Sequence, residues 1–285
     1  MTLSRCRVQD EADSPGVTPM IKYLRNNWLI LCLQLKNENC RKGIERVIKK
    51  LTVMSKKEKR LFIRFLVHRS ALILAGLVTF SILQVSIIKF LNPPATPLMV
   101  YRWLCGEKVD FRWRSLSEIS PFLQRAVIAA EDQRFLSHHG FDWKQIERAL
   151  QEYHNEGRAR GASTITMQVA RNIFLWHGYS WLRKGLEAYY TALIELLWPK
   201  SRIMEVYLNV VELGPEIFGA EAAACRYFGF SAASLTKPQA ALLAAVLPNP
   251  HRWSPKHPSQ YIRKRQSTIL CEMEKFEANL KTSPE

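Results

Sequence analysis

Nineteen consecutive residues, Ser70–Ile88 (SALILAGLVTFSILQVSII), carry no charge. As a helix the run is about 28 Å long, close to the roughly 30 Å hydrocarbon core of a bilayer. A core helix of a soluble domain would keep a polar stripe, and this segment is apolar all round. No small-x-small site follows it, so it does not read as a cleaved signal. Its flanks set a direction. Lys56, Lys57, Lys59, Arg60, Arg64 and Arg69 precede it, and Lys89 is the only Lys or Arg between it and Arg102. This asymmetry predicts a cytoplasmic N-terminus and a C-terminal part on the outer side of the membrane.

The 285 residues carry a formal charge of +16, spread unevenly, with 16 Lys/Arg against 6 Asp/Glu in residues 1–69. With the span beside it, that basic block reads as a topology signal and a contact for anionic lipid, not as a nucleic-acid site. An apolar content of 47% suffices for a core. The expected organisation is a basic cytoplasmic segment (1–69), a transmembrane helix (70–91), a linker (92–110) opening on NPPATP, and a folded domain (111–285). Residues 1–53 show no motif. Met54 begins a stretch that resembles a natural start, so those residues are expected to be absent from the mature product. Cys105, Cys225 and Cys271 lie beyond the span and cannot all pair with one another. None of the cysteines forms a CxxC pair, so a zinc site is not indicated.

The outer part reads as a compact α-rich domain without runs of alternating strands. Ser120-Pro121 marks a helix start, and that helix is expected to run to about Phe135. Thr236-Lys237-Pro238-Gln239 is a capping-box pattern opening ALLAAVL.

Three segments stand out chemically. In AVIAAEDQRFLSHHG (126–140) an apolar helix runs into Glu131 and Asp132, followed by Phe135, His138, His139 and Gly140. A partly desolvated carboxylate there would suit proton transfer. Asp132 reads better as an acceptor for nearby N–H groups, and the two histidines read as structural. In RGASTITMQVARNIFL (160–175), Ile165, Val169 and Ile173 mark one buried face, with Ser163 at the expected N-cap. With Arg158 and Arg160 before it, that helix start is either an anion site or an ordinary capped helix. In SWLRKGLEAYYTALIELLWPKSRIMEVYLN (180–209), Leu182, Leu186, Tyr189/Tyr190, Leu193 and Leu197 mark the expected buried stripe. Arg183 and Lys184 share a face with Glu187, as a surface ion-pair set would. Pro199 separates this helix from a second one. Together the segments supply a carboxylate base, a second carboxylate among cations, and an anion cradle beside a membrane. Glycosyl transfer from a lipid-linked sugar pyrophosphate fits that set: a base for the attacking hydroxyl and cations for the leaving group.

These residues also resemble the biosynthetic peptidoglycan glycosyltransferases. The family's EDxxFxxHxG motif is matched by Glu131, Asp132, Phe135, His138 and Gly140. Its GxSTITQQxxKN motif is matched by Gly161, Ser163, Thr164, Ile165, Thr166, Gln168 and Asn172. RKxxE is matched by Arg183, Lys184 and Glu187. KxxIxxxYLN is matched by Lys200, Ile203, Tyr207, Leu208 and Asn209. The resemblance covers about residues 100–270.

It implies a mainly α, lysozyme-like domain behind a single N-terminal transmembrane helix in the inner membrane, with the domain in the periplasm. It implies polymerisation of lipid II into β-1,4-linked glycan strands, with inversion and release of polyprenyl pyrophosphate. By resemblance Glu131 is the general base and Glu187 the second catalytic carboxylate. Asp132, Phe135, Ser163, Thr166, Gln168, Arg171, Arg183, Lys184 and Asn209 are the expected substrate-binding residues. The expected partners are lipid II, the growing strand, the membrane and other cell-wall synthesis proteins, with no nucleic acid. A divalent cation at the pyrophosphate is the one cofactor this chemistry leaves room for, and no ligand cluster is dedicated to it. The chain departs from the pattern at Met167, where the family has Gln, and at Arg171, where Lys is usual. Met cannot replace an amide's donors and acceptor. Ser234–Lys237 matches SxxK, but no KTG occurs, so a monofunctional polymerase is expected. The two rivals are a glycan-cleaving enzyme of similar fold, disfavoured by the cationic STIT and RK segments, and a membrane-anchored scaffold.

Overall fold

The computed structural model describes residues 55–157, 161–178 and 180–282. The expectations for residues 1–53, and for Arg158 and Arg160, lie outside the described residues. Two compact units are distinguished, Met1–Ala75 and Gly76–Glu285.

Helix α1 (Lys56–Phe90) starts well before the uncharged run, and its part from Arg60 to Phe90 is long and apolar enough to cross a membrane. The segment expected as a linker is folded instead. Thr96 caps helix α2 (Pro97–Leu104) by accepting from the Met99 N–H, and strand β1 (Asp110–Phe111) follows. The proline read as a linker signal sits at the start of α2, where its missing N–H costs nothing.

The second unit is mainly helical, as expected. Helix α3 (Pro121–Glu131) begins after Ser120, whose hydroxyl donates to Leu235 O at 2.8 Å instead of capping the helix. It ends at Glu131, four residues short of the expected end. Asp132 leaves helical geometry (φ −157°, ψ 74°), and its carboxylate is drawn to other groups. Helices α4 (Trp143–Glu156), α5 (Ile165–Phe174), α6 (Trp181–Leu197) and α7 (Lys200–Val210) follow. The break between α6 and α7 falls at Pro199 as expected.

A small sheet then forms with strand order β1-β3-β2. Strands β2 (Glu212–Gly214) and β3 (Ile217–Phe218) are antiparallel, and β1 joins β3 in parallel. Helix α8 (Ala220–Phe228) leads to α9 (Lys237–Val246) and α10 (Gln260–Thr282). The capping box at α9 is made: Gln239 Oε1 accepts from Thr236 N at 3.0 Å and from Thr236 Oγ1 at 2.8 Å. Helix α9 buries Ala240, Ala241, Leu243, Ala244, Ala245 and Val246. Its alanines let α3 and α10 pack closely against it, and these three helices meet pairwise. Helix α5 packs on both α6 and α7, forming a second group.

The expected stripe of α6 is inward only in part: Tyr190, Leu193 and Leu197 pack partly buried against the core. Leu182 is exposed, while Arg183, Glu187, Thr191 and Ile194 are buried. The leucine pattern was a correct sign of a helix and a partial guide to its inner face.

Candidate active site

Glu131 is the last residue of α3, and its side chain is 15% exposed. Gln168, one turn into α5, donates from Nε2 to Glu131 Oε2 at 2.9 Å. The Gln168 carbonyl in turn accepts from the Tyr207 hydroxyl at 3.2 Å. Arg265 on α10 lies 3.8 Å from the other carboxylate oxygen. Burial raises the Glu131 carboxyl above its ordinary value of 4.5, and the Gln168 bond, Arg265 and Arg171 hold it back in part. Tyr207 is fully buried, and burial first, then Glu131, pushes its hydroxyl well above the usual range. It therefore stays a neutral donor that orients Gln168.

Asp132 is buried beside Glu131 and points the other way. Its Oδ1 lies 2.8 Å from His138 Nε2, and its Oδ2 accepts from Ile165 N–H at 3.1 Å. Thr164, not Ser163, is the N-cap of α5, accepting from the Met167 N–H at 3.2 Å. It also donates to Gly140 O at 2.6 Å. The negative charge at this helix start is the protein's own Asp132. The start of α5 is thus capped from within by Thr164 and Asp132, as the ordinary-cap reading has it. Ser163 precedes the cap and is partly exposed.

Three other expected substrate contacts are spent inside the fold. Phe135 is a core residue, with Lys200 Nζ 4.6 Å from its ring centroid. Thr166 is fully buried and donates to Glu195 Oε1 at 2.5 Å, where Lys200 also donates at 2.8 Å. Asn209 is fully buried: Oδ1 accepts from Arg114 N–H at 2.8 Å, and Nδ2 donates to Arg114 O and Glu205 O, each at 2.8 Å. The polar side-chain atoms of Thr166 and Asn209 are partnered within the protein, and Phe135 packs in the core. Gly140 closes this region. Its φ is +86°, and a Cβ would stand 2.8 Å from Thr191 Cγ2 and 2.9 Å from Glu195 Cγ.

The second cluster lies on α6. Ser180 accepts from the Arg183 N–H at 3.1 Å and starts the helix. Arg183 NH1 donates to Glu187 Oε2 at 3.0 Å, and Lys184 Nζ donates to Glu187 Oε1. Glu187 is 3% exposed and Arg183 is also buried. The surface ion-pair reading is corrected: the carboxylate is buried and holds both cations. Lys184 remains partly exposed, with two further N–H donors to offer. Arg171 is exposed on α5. Met167 is buried, so its side chain supplies packing where an amide would supply polar contacts.

The structure thus gathers Glu131, Gln168 and Tyr207 in one group and Arg183, Lys184 and Glu187 in another, with α5 touching the helices that carry both. Arg265 and Glu195 escaped sequence reasoning. Arg265 sits in a run of basic residues on α10, with no spacing to single it out. Glu195 lies in a leucine-rich stretch, between the stripe positions Leu193 and Leu197, with no spacing to mark it. Among the described residues no three His, Cys, Asp or Glu side chains gather as a metal site.

A sequence model of the transglycosylase family matches residues 99–274. A biosynthetic peptidoglycan transglycosylase of Rhodospirillum centenum is 53% identical over 205 residues, 72% of this chain and 89% of the relative. One of Stutzerimonas stutzeri is 50% identical over 217 residues (74% and 90%), and one of Pseudomonas aeruginosa 47% identical over 217 residues (74% and 94%). A match over more than half its length, and relatives covered almost end to end, place one conclusion beyond the geometry: the chain belongs to the transglycosylase family.

Proposed function

We propose that this protein polymerises lipid II into β-1,4-linked peptidoglycan strands at the outer face of the inner membrane, releasing polyprenyl pyrophosphate. The observation that carries the reading is the buried, raised carboxyl of Glu131, held by Gln168 at the end of α3.

A base for a sugar hydroxyl works best when its own pKa approaches the working pH. Glu131 Oε takes the proton of the acceptor 4-hydroxyl as that oxygen attacks the anomeric carbon of the donor. The new C–O bond forms as the bond to the pyrophosphate oxygen breaks, and the pyrophosphate leaves with the electron pair. Its growing charge is met by Lys184, Arg183 and Arg171. Glu187 keeps the first two cations in place by ion-pairing with both. Attack opposite the leaving group inverts an α-linked donor to a β product.

Among the described residues one helix is long and apolar enough to serve as the anchor, which would keep the domain where a lipid-linked donor resides. The charge asymmetry about it supports an N-terminus in the cytoplasm and the domain in the periplasm.

Incubating the full-length protein with labelled lipid II tests the reaction. Long chains that lysozyme digests back to disaccharide units support polymerisation. Fragment release from preformed glycan, without chain growth, would assign the site to cleavage instead.

A further inference from the structure

The fold engages the two carboxylate oxygens of Glu131 differently. Oε2 accepts from Gln168 Nε2 at 2.9 Å. Oε1 has Arg265 NH2 at 3.8 Å and, among the described residues, no hydrogen-bond donor. That separation is too long for a hydrogen bond between the two groups. It is short enough for one oxygen atom to sit within reach of both, about 2.7 Å from Oε1 and about 3.0 Å from the guanidinium. Arg265 is otherwise uncommitted. Among the described residues it makes no hydrogen bond, and its Nε–H is buried without a partner. An arginine that serves the fold spends its terminal nitrogens there, as Arg202 does on Ile88 O, Leu91 O and Asn92 Oδ1.

The same arginine walls a cavity of about 320 Å³. Ala129, Ala130 and Gln133 line it from the end of α3, on either side of Glu131 in the sequence. Lys264, Arg265 and Thr268 line it from α10. The two alanines leave room, while the amide, ammonium, guanidinium and hydroxyl offer both donors and acceptors. Such a lining suits a sugar ring, whose hydroxyls need both. The cations assigned above to the leaving pyrophosphate stand on α5 and α6, so α10 has no part in that task.

Chain growth puts one substrate atom against the base, the acceptor 4-hydroxyl oxygen. A group 3.8 Å from the base oxygen is within reach of that same atom. We propose that Arg265 is a second catalytic residue, which donates to the acceptor 4-hydroxyl oxygen while Glu131 Oε1 takes its proton, and that the adjoining cavity receives the acceptor's terminal sugar. This role rests on the reading of Glu131 as the base. In the step, the hydroxyl O–H bond breaks and the proton passes to Oε1. The freed electron pair forms the bond to the anomeric carbon, and the bond from that carbon to the pyrophosphate oxygen breaks with its electrons. Negative charge builds on the attacking oxygen before the new bond is complete, and a fixed guanidinium stabilises it there. Arg265 itself stays protonated throughout. It also offsets part of the rise that burial gives the Glu131 carboxyl, which keeps the base charged when the acceptor arrives.

A two-substrate assay on the full-length protein in detergent separates these tasks. Lipid II methylated on its own 4-hydroxyl can serve only as donor, and labelled unmodified lipid II supplies the acceptor. The product that carries both label and methyl cap is followed. Arg265→Ala should lower the rate at saturating acceptor about a hundred-fold and leave equilibrium binding of the methylated donor unchanged. Millimolar guanidinium ion should restore part of the rate in this variant and add nothing to wild type. Thr268→Trp, which fills the cavity from an exposed position of α10, should raise the KM for acceptor several-fold. An Arg265→Ala profile that moves to higher pH with an unchanged plateau rate overturns the proposal, because Arg265 would then only neutralise Glu131. So do parallel losses of donor binding and rate without rescue, because Arg265 would then serve the fold. An unaltered acceptor KM in Thr268→Trp overturns the assignment of the cavity. Absence of coupled product from wild type refutes the proposed reaction itself, a result distinct from equal product with wild type and Arg265→Ala.

Discussion

The Gln168 amide donates to the Glu131 carboxylate at 2.9 Å. One side chain thus tethers a buried carboxylate whose proton affinity burial has already raised. The bond favours the charged form, so it moderates the shift and aims the free lone pairs. Tyr207 fixes the amide's orientation by donating to its carbonyl at 3.2 Å.

Glu131 should cost stability at neutral pH. Its folded pKa is raised, so the native state keeps the proton to a higher pH than the unfolded chain does. Stability is lost as pH rises from the ordinary value of 4.5 through the raised one. Glu131→Gln should therefore melt higher than wild type at pH 7, and the gain should vanish below about pH 4. Thermal melts of both proteins across that range check the sign. The same ionisation should give the rate profile an ascending limb above 4.5, and Gln168→Ala should move that limb upward by removing the bond that favours the carboxylate.

The cluster on α6 separates two kinds of effect. Arg183 and Glu187 are both buried, so Glu187→Ala should destabilise the fold by about 3 kcal/mol by stranding Arg183. Lys184 is partly exposed. Lys184→Ala should leave the melting temperature within a few degrees of wild type and raise KM for the lipid-linked donor. Denaturant titrations beside steady-state kinetics distinguish the two.

Glu221 should supply acid-sensitive stability. Burial pushes its carboxyl up, but the Ala232 N–H at 2.8 Å, Arg114 at 3.0 Å and Ser231 at 3.0 Å outweigh burial and lower it below 4.5. The stabilisation is present above the unfolded pKa and is lost as pH falls through the lowered folded one. Glu221→Gln should lower the melting temperature at pH 7 and flatten its decline toward acid.

Gly219 should admit no side chain. Its φ is +83°, and a Cβ would stand 2.4 Å from the carbonyl oxygen of Asn209. Gly219→Ala should prevent folding or lower the melting temperature sharply, as circular dichroism would read. Asn209 cannot yield, since its side chain joins Arg114 to Glu205.

The membrane span, the helix break at Pro199 and the α9 capping box were legible because each rests on local chemistry. Glu131 was legible for the same reason: an apolar helix ending on a carboxylate needs no knowledge of its neighbours. What failed depended on which groups meet across the fold. Spacing alone could not tell that Asp132 occupies the start of α5. Nor could it tell that Thr166 and Asn209 spend their polar atoms on Glu195 and Arg114. The inner face of α6 was read only in part: Tyr190, Leu193 and Leu197 do pack on the core, but the buried Arg183, Glu187 and Thr191 gave no apolar signal. Arg265 carried no local signal at all.

The central claim is that Glu131 is the base for chain growth. Its most direct test is conversion of labelled lipid II by the full-length protein beside Glu131→Gln, which keeps the shape and removes the proton acceptor. The account predicts long lysozyme-sensitive chains from wild type and a loss of about a hundred- to ten-thousand-fold in the variant, with the variant still folded. Comparable polymerisation by the variant would contradict it.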